Sequence, residues 1–458
     1  MLYDFILIDK NSEKPLYRQI YFSIRNAIEN SSLKKNTKLP SIRRLSNDLN
    51  VSKTTITAAY DQLCAEGYIK TKPQSGYFVE AEFDIKPNAI KLTENKLKSD
   101  ITYYEYDFSG KSIDEKITNL SDWKKYIKEV LNQNYLLTSY GEPQGEEKLR
   151  IALQKYSVGT RSVNTKAENI VVGAGMQPLL FLICSLLGAN KTVAVSDSVF
   201  LQSEFVFKGA GYKINYCKSD EHGITVQELN KIKPDIIFVN PNYTAKNGTI
   251  MPITRRLEII SWAKKNNALI VEDDYNGELR YFTHPMPCLQ NYDNENTVYL
   301  GSFSKVLLPS VRIGYMVLPD KLAKIYNEVK TMTNQTASKV EQLALAKYIE
   351  NGKIDIHLRK ARRIYLEKSK KTLECVNQYF SDYANITFNE TSLYISINLN
   401  NSVKSKDLSK LFKDNSILTM TANSNDNTIN LSFSGIAYDK IEKGVSDIAK
   451  LVLGNSDN

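Results

Sequence analysis

From Tyr104 onward, apolar runs of strand length alternate with longer segments of helical periodicity. The predicted strands are 169–172, 192–196, 235–240, 268–273, 297–300 and 311–318. Helical patterns lie between several of them, at 176–187, 253–265 and 320–330. Parallel neighbours in a sheet need long crossover connections, and helices usually supply them. The pattern therefore predicts an α/β domain with a mainly parallel sheet and functional residues at the carboxyl ends of its strands.

The first eighty residues follow a different pattern, with three short amphipathic helices and then two short strands. The first helix is predicted to start at Pro15, the second near Ser41 and the third after Ser52, with Gly67 ending the third. A short turn separates helices two and three, and the strands surround a turn at 73–76. This order predicts a winged helix-turn-helix.

Charge supports a nucleic-acid partner for this first part. Between residues 34 and 72, basic side chains outnumber acidic ones by eight to three, and the whole chain has a formal net charge of +9. The third helix would expose Ser52, Lys53, Thr54 and Thr55 at its N-terminal end, where hydroxyls and an amine suit phosphate and base-edge contacts. We therefore expect double-stranded DNA as a partner.

Three predicted strand ends contain residues suited to one cofactor. The first leads into Gly175, Met176 and Gln177, whose N–H groups would open a helix and hold a phosphate. The second ends in Asp273, with Tyr275 two residues later. The acid could pair with a pyridine nitrogen, and the phenol could bond the ring oxygen.

The third strand end places a single amine, Lys305, among hydroxyls. Ser302 and Ser304 precede it, and Arg312 follows seven residues later. An amine in such a setting can hold a carbonyl cofactor as a Schiff base, while the serines and the arginine bind its phosphate. In combination, the three strand ends indicate pyridoxal 5′-phosphate.

The remaining composition excludes other classes. The five cysteines are scattered and form no CxxC pair, which argues against a disulfide framework and a zinc site and favours a reducing compartment. No apolar run reaches membrane-spanning length, so we expect a cytoplasmic protein. We expect a DNA-binding domain at 1–80, a linker at 81–103 and a cofactor domain at 104–458, with a large subdomain at about 150–320 and a small one at about 321–458.

The first part resembles the GntR family of winged helix-turn-helix regulators. The resemblance rests on Leu39-Pro40-Ser41-x-Arg43, Leu49-x-Val51-Ser52-Lys53-x-Thr55, Glu66-Gly67-Tyr68-Ile69 and Ser75-Gly76-x-Phe78-Val79. It implies that DNA is contacted by Ser41, Arg43, Ser52, Lys53, Thr54, Thr55 and Gly76. The usual first glycine of the wing is Gln74 in this chain.

The second part resembles fold-type I aminotransferases, and the whole chain is similar to the MocR subfamily of GntR regulators, which joins the two modules. The resemblance rests on Tyr140-Gly141-x-Pro143-x-Gly145, Glu272-Asp273-Asp274-Tyr275 and Ser302-Phe303-Ser304-Lys305, and it continues through Pro309-Ser310-x-Arg312-x-Gly314-Tyr315. It implies that Lys305 binds pyridoxal 5′-phosphate covalently, Asp273 pairs with the ring nitrogen, Tyr275 reaches the ring oxygen and Phe200 stacks on the ring. The implied phosphate contacts are Ser302, Ser304, Arg312, Gly175, Met176 and Gln177, with Tyr140 reaching the phosphate of a second subunit in a homodimer.

Two positions depart from the aminotransferase pattern. Asn430 stands where these enzymes place the arginine that binds the substrate carboxylate, and Ala245-Lys246-Asn247-Gly248 replaces a Pro-Thr-Gly turn. A neutral amide cannot form a charged bidentate clamp, so turnover of ordinary amino acids is not expected. We also expect His357 to lie solvated on a basic helix, and His222 and His284 to be structural or surface residues.

Three functions remain open at this stage. The favoured one is a cofactor-binding transcriptional regulator with no catalytic residues assigned. It resembles the PdxR branch, which senses pyridoxal 5′-phosphate and controls its synthesis genes. The others are a regulator that senses an amino compound through the cofactor, and an active aminotransferase with an accessory DNA-binding domain. A dead fold used only for dimerisation is disfavoured because the cofactor residues are intact.

Overall fold

The computed structural model describes residues 3, 5–9, 12, 14–82, 103–118, 120–196, 201–242, 250–274, 276–280, 286–389, 392–400, 408–420 and 427–454. These form two compact units, Met1–Asp100 and Ile101–Asn458. Among the described helices, none is long and apolar enough to cross a membrane.

The first unit is a three-helix bundle with a β-hairpin. Its elements are α1 (Leu16–Glu29), α2 (Ile42–Leu49), α3 (Lys53–Ala65), β1 (Ile69–Lys72) and β2 (Gly76–Val79). One buried cluster joins them, because α1 and α3 each turn an apolar face inward. The two strands pair antiparallel from Ile69↔Val79 to Lys72↔Gly76. This is the expected winged helix-turn-helix, and α1 begins at Leu16, directly after Pro15.

The second unit begins with a short strand and a group of helices. Its elements up to the fourth strand of the main sheet are β3 (Tyr106–Phe108), α4 (Leu120–Leu131), α5 (Asn134–Leu137), α6 (Glu147–Arg161), β4 (Ile170–Gly173), α7 (Met176–Leu187), β5 (Thr192–Ser196), α8 (Leu201–Gly209), β6 (Lys213–Cys217), β7 (Ser219–Asp220), β8 (Gly223–Ile224), α9 (Val226–Ile232) and β9 (Ile236–Val239).

The chain then completes the main sheet and adds a smaller one. These elements are α10 (Ile253–Asn266), β10 (Leu269–Asp274), α11 (Leu289–Tyr292), β11 (Thr297–Ser302), β12 (Gly314–Val317), α12 (Asp320–Val329), α13 (Lys339–Glu350), α14 (Lys353–Phe380), β13 (Ala384–Phe388), β14 (Tyr394–Leu399), α15 (Leu408–Asp414), β15 (Ile417–Thr419), β16 (Thr428–Ser432) and α16 (Ile441–Leu453).

The main sheet has the order β4-β12-β11-β10-β9-β5-β6. All its pairings are parallel except those of β12, which runs antiparallel to both β11 and β4. Strands β4, β9 and β11 are buried along their whole length, as expected for a sheet covered by helices on both faces. The mainly parallel α/β fold predicted from the sequence is confirmed.

Three smaller sheets are described in the second unit, one of them the short antiparallel pair β7–β8. Strands β13, β14 and β16 form an antiparallel sheet, and β15 pairs in parallel with β3. The predicted strand at 311–318 is shorter than expected, because Pro309–Val311 forms a 3-10 turn and Arg312 adopts a left-handed conformation with φ 51°. Strand β12 therefore starts only at Gly314.

Candidate functional site

Helix caps fix the start of each helix in the helix-turn-helix. The Ser41 hydroxyl accepts a hydrogen bond from the Arg44 N–H at 3.2 Å, and the Ser52 hydroxyl accepts one from the Thr55 N–H at 3.1 Å. Between the helices Asn50 adopts the left-handed conformation, φ 50°, that ends α2. These contacts confirm the predicted N-cap at Ser52.

The exposed side of this unit presents cations without partners. Tyr60, buried on α3, donates a hydrogen bond to the Pro40 carbonyl at 3.0 Å and so fixes the start of α2 against α3. Arg43 and Lys53 are exposed, and neither forms an ion pair with a described residue. Thr54 is exposed beside Lys53, whereas Thr55 is half-buried.

The wing turn places a non-glycine residue where glycine is usual. Gln74 has φ 60° and Gly76 has φ 100°, so the backbone still makes the left-handed turn at Gln74, at the energetic cost of a side chain there. Lys72 and Lys38 lie over the Phe78 ring, at 4.6 and 5.8 Å from its centroid. The wing is thus a short basic ribbon stiffened by cation–π contacts.

In the second unit, strand register brings the predicted cofactor residues to one edge of the main sheet. Gly314 on β12 lies between Ser302 on β11 and Gly173 on β4. Asp273 on β10 lies beside Leu300 on β11. The ends of β4, β10 and β11 therefore lie together, as they do at the ligand sites of other parallel sheets.

Lys305 follows β11 and is half-buried. Its ammonium group donates a hydrogen bond to the carbonyl of Gly110, a residue just after β3. Burial lowers the pKa of Lys305, and the negative charge of Asp107 opposes that effect. With a lowered pKa, a larger fraction of Lys305 is the neutral amine at neutral pH, and the neutral amine is the form that attacks carbonyl groups.

Asp273 is buried, and its Oδ1 atom accepts no hydrogen bond from the described residues. Burial raises the pKa of Asp273 to about 7, and the charges of Asp274 and Glu272 add to the rise. A buried carboxylate oxygen without a donor is costly. This position therefore suits a ligand that brings its own N–H.

The two acids beside Asp273 have protein partners. Glu272 accepts the backbone N–H groups of Leu289 and Gln290 at 2.9 and 3.1 Å. Asp274 is fully buried and accepts from three side-chain donors: Arg161 Nε at 2.6 Å, Asn242 Nδ2 at 2.6 Å and the Tyr299 hydroxyl at 2.9 Å. Of the three consecutive acids, Asp273 alone has an oxygen left for a ligand.

Arg312 and Gly175 lie close together at the same edge. A Cβ atom at Gly175 would lie 2.9 Å from a terminal nitrogen of Arg312, and Gly175 has φ 90°. Only glycine leaves room there for the guanidinium. Met176 and Gln177 are the first two residues of α7, and both are half-buried.

The serines complete this group. The Ser302 hydroxyl accepts the Ser304 N–H at 3.3 Å, which leaves the Ser302 hydroxyl hydrogen for another acceptor. Ser302 is buried and Ser304 half-buried. Tyr140 is fully exposed and lies on the loop before α6. Phe200, Tyr275, His284 and the segment 245–248 lie outside the described residues.

Asn430 lies in the middle of β16, opposite Ser396 of β14. Its Oδ1 accepts the Ser396 hydroxyl at 2.6 Å. The amide is thus part of the small sheet's own bonding, and it has no positive charge to offer a carboxylate.

The sequence interpretation was wrong about His357. Instead of being solvated, His357 is buried, with Nε2 2.6 Å from the Val306 carbonyl, and burial lowers its pKa to about 4. It is a neutral core residue on α14, since tertiary packing covers the face of that helix on which it lies. Sequence reasoning also missed Gly110 and Arg161, because neither has a distinctive local pattern.

Two family profiles match the chain. "Aminotransferase class I and II" matches residues 105–428, and "Bacterial regulatory proteins, gntR family" matches residues 16–79. The chain is 31% identical over 454 residues to the HTH-type transcriptional regulator YdeL of Bacillus subtilis, covering 96% of this chain and 97% of the relative.

Two further relatives carry more specific names. The chain is 27% identical over 411 residues to the probable rhizopine catabolism regulatory protein MocR of Rhizobium meliloti, covering 85% of this chain and 83% of the relative. It is also 27% identical over 361 residues to the pyridoxine biosynthesis transcriptional regulator PdxR of Corynebacterium glutamicum, covering 79% and 78%. Among solved structures, an archaeal alanine:glyoxylate aminotransferase matches with a TM-score of 0.70 at 22% identity, over 78% of this chain and 92% of that one. That likeness shows the fold.

Proposed function

The chain belongs to the MocR-type regulators of the GntR family, and from that premise we propose that its DNA binding responds to pyridoxal 5′-phosphate held on Lys305. Regulators of this type join a DNA-binding helix-turn-helix to an aminotransferase-like domain. The finer proposal concerns the cofactor and the signal. It rests on the residues at the edge of the main sheet and on Asn430.

The polar groups at that edge fit the cofactor. A pyridinium N–H would supply the donor that Asp273 Oδ1 lacks, and the ion pair would hold Asp273 ionised despite its raised pKa. When bound, pyridoxal 5′-phosphate supplies an aldehyde for the Lys305 amine and an electron-withdrawing ring. The burial of Lys305 favours the neutral amine that this reaction needs.

The phosphate would lie between Arg312, the two serines and the start of α7. Arg312 provides a guanidinium fork beside Gly175, and the Ser302 and Ser304 hydroxyls can donate to phosphate oxygens. The N–H groups of Gly175, Met176 and Gln177 add the positive end of the α7 dipole.

We propose further that the protein acts as a homodimer. Tyr140 is fully exposed in the single chain, as is expected of a side chain that reaches a second subunit's phosphate. Phe200 and Tyr275 would complete the ring contacts by stacking and by bonding the ring oxygen.

Asn430 is the observation that decides the proposed signal. The amide is engaged with Ser396 and is neutral, so an amino acid's carboxylate would lack an arginine partner there. The chain retains Lys305, Asp273 and Arg312, which would hold the cofactor. The ligand that the site fits best is therefore the cofactor itself. The resemblance to PdxR supports control of vitamin B6 synthesis genes as the physiological output.

The test measures the affinity for the protein's own promoter in three states. These are the cofactor-free protein, the protein with pyridoxal 5′-phosphate, and the loaded protein offered a panel of amino acids. We expect the cofactor alone to change the affinity or the footprint, and Lys305→Ala to abolish that response. Lys360→Ala, an exposed lysine on α14, is the matched control. If the cofactor changes nothing and an amino acid releases the complex, the cofactor-sensing proposal fails and an amino-compound sensor replaces it.

A further inference from the structure

A cavity lies between α15 and the β3–β15 pair, close to the turn at Gly110 that bonds Lys305. Its volume is about 350 Å³, within the range of small-ligand pockets. The polar lining consists of Lys111, Lys413 and the hydroxyl residues Ser109, Ser409 and Thr419, with Tyr104 at the margin. Apolar side chains of β15 and Met420 form the rest of the wall.

The charge lining this cavity is uncompensated. Lys111 and Lys413 are both exposed, and their ammonium groups form no ion pair or hydrogen bond with any described residue. Among its described lining residues the cavity has no carboxylate. Two cations that share a cavity repel each other unless an anion lies between them. The lining is therefore complementary to a negatively charged group.

The cavity is connected to Lys305 through one residue. Ser109 and Lys111 flank Gly110, and the Gly110 carbonyl accepts the hydrogen bond from the Lys305 amine. Gly110 has φ 70°, and a Cβ there would lie 2.9 Å from the Ser432 hydroxyl, so this turn has little freedom to move alone. The Lys111 N–H also bonds the Ser109 hydroxyl at 3.2 Å.

We propose that this cavity binds a small molecule with a carboxylate or phosphate group, held by Lys111 and Lys413. Ser109, Ser409 and Thr419 would donate to the remaining anion oxygens. Ser109 and Lys111 flank Gly110, whose carbonyl accepts the hydrogen bond from Lys305, so a ligand that contacts these two residues and the cofactor influence each other's binding. This deepens the proposed function by adding an anionic effector, and only the coupling to Lys305 rests on that function.

The first experiment measures ligand binding at the two lysines directly. The full-length protein is acetylated with an amine-reactive ester, and the rate at each lysine is read by peptide mass spectrometry. The probes are inorganic phosphate and succinate, with the neutral diamide of succinate as control. At a probe concentration about ten times its Kd, acetylation of Lys111 and Lys413 should slow about tenfold. Lys360, which is exposed elsewhere, should react at an unchanged rate.

Protection by phosphate alone identifies a phosphate-bearing ligand, and protection by succinate alone identifies a carboxylate ligand. Lys111→Gln and Lys413→Gln should each weaken probe binding about tenfold in calorimetry, because each removes one charge-assisted contact. Lys360→Gln should leave it unchanged. The proposal is overturned if neither probe protects, if Lys360 is protected equally, or if both glutamine variants bind as the wild type does.

The coupling has a separate readout. Succinate, which carries no phosphate to compete for the residues around Arg312, should change the affinity for pyridoxal 5′-phosphate at least severalfold in the wild type and not in the chain with both lysines replaced. An unchanged affinity overturns the coupling. In Lys305→Ala, which cannot hold the cofactor covalently, the probe should still protect Lys111 and Lys413. Failure of cofactor binding is thereby distinguished from failure of the cavity proposal.

Discussion

The buried pair Arg161–Asp274 offers a prediction with opposite signs for two variants. Arg161 Nε lies 2.6 Å from Asp274 Oδ2, and both side chains are fully buried. Asp274 is adjacent in sequence to Asp273, whose pKa is raised to about 7 by burial and by the charges of Asp274 and Glu272. Removing the negative charge of Asp274 should lower the pKa of Asp273, and removing the positive charge of Arg161 should raise it.

The magnitude follows from Coulomb's law. If each charge is taken to lie about 7 Å from the Asp273 carboxyl, an effective dielectric constant of about 20 gives about 2.4 kcal/mol, or about 1.7 pKa units. Asp274→Asn should then keep Asp273 ionised and tighten cofactor binding about twofold at pH 7 and about tenfold at pH 6. Arg161→Met should leave about 2% of Asp273 ionised at pH 7 and weaken binding about 25-fold, with recovery at higher pH.

Other charged groups near this strand end could also contribute to the pH dependence and have to be separated from Asp273. Glu272 is bonded to backbone N–H groups, Glu278 is buried with a pKa raised to about 7, and Arg256 is buried against backbone carbonyls. Lys305 titrates in the same experiment, since its pKa is lowered. The Lys305 contribution is common to all variants, whereas the pKa values of Glu272 and Glu278 also respond to the charge of Asp274. The same variants are therefore compared in Glu272→Gln and Glu278→Gln backgrounds to isolate the contribution of Asp273.

The assay is cofactor titration by absorbance from pH 6 to 9, with unfolding curves recorded for each variant. Arg161→Met leaves a buried charge unpaired and should lose about 3–5 kcal/mol of stability, so Arg161→Met combined with Asp274→Leu serves as the folded reference. The double variant removes both charges, whose effects on the pKa of Asp273 are opposite, so its profile should be close to that of the wild type. If both single variants weaken binding equally at every pH, the pair is only structural and the electrostatic reasoning is refuted.

The remaining predictions concern DNA binding and stability. Arg43→Ala and Lys53→Ala should each weaken binding to the protein's own promoter. A gel shift over a salt series should show that each variant reduces the slope of log affinity against log salt by about one. An unchanged slope would exclude phosphate contacts by these residues. Ser52→Ala removes the α3 cap and should cost about 1 kcal/mol in denaturant unfolding, whereas Ser52→Asp should retain most of the stability. Lys368→Met leaves Asp114 buried without its 2.7 Å partner and should cost about 3–5 kcal/mol, most of it recovered by adding Asp114→Leu; equal losses in single and double variants would contradict this.

The sequence predicted what depends on local pattern. Strand β5 and helix α7 have the predicted bounds, because turn residues and apolar runs define them within a few positions. Ser52 was identified as a cap for the same reason. The predicted start of β12 is too early because Val311 and Ile313 are apolar enough for a strand. In the structure, the 3-10 turn after Pro309 and the left-handed Arg312 interrupt the extended backbone, so the strand starts after them.

Contacts between distant segments could not be predicted in this way. Lys305 and Gly110 are 195 residues apart, and Arg161 and Asp274 are 113 apart. No periodicity links such pairs, since only the assembled sheet brings them together. His357 illustrates the same limit, because a basic helix sequence does not tell which of its faces will be covered.

Asn430 shows how sequence and structure contribute different parts of one argument. The sequence identifies the missing arginine, but only the register of β14 and β16 shows that the replacement amide bonds Ser396 across the sheet. Asn430→Arg would remove the acceptor of the Ser396 hydroxyl, which would have to find another partner before the guanidinium could meet a carboxylate. We therefore expect Asn430→Arg combined with Ser396→Ala to bind a carboxylate more tightly than Asn430→Arg alone, and equal affinities would show that Ser396 has no part in the position of the side chain at 430.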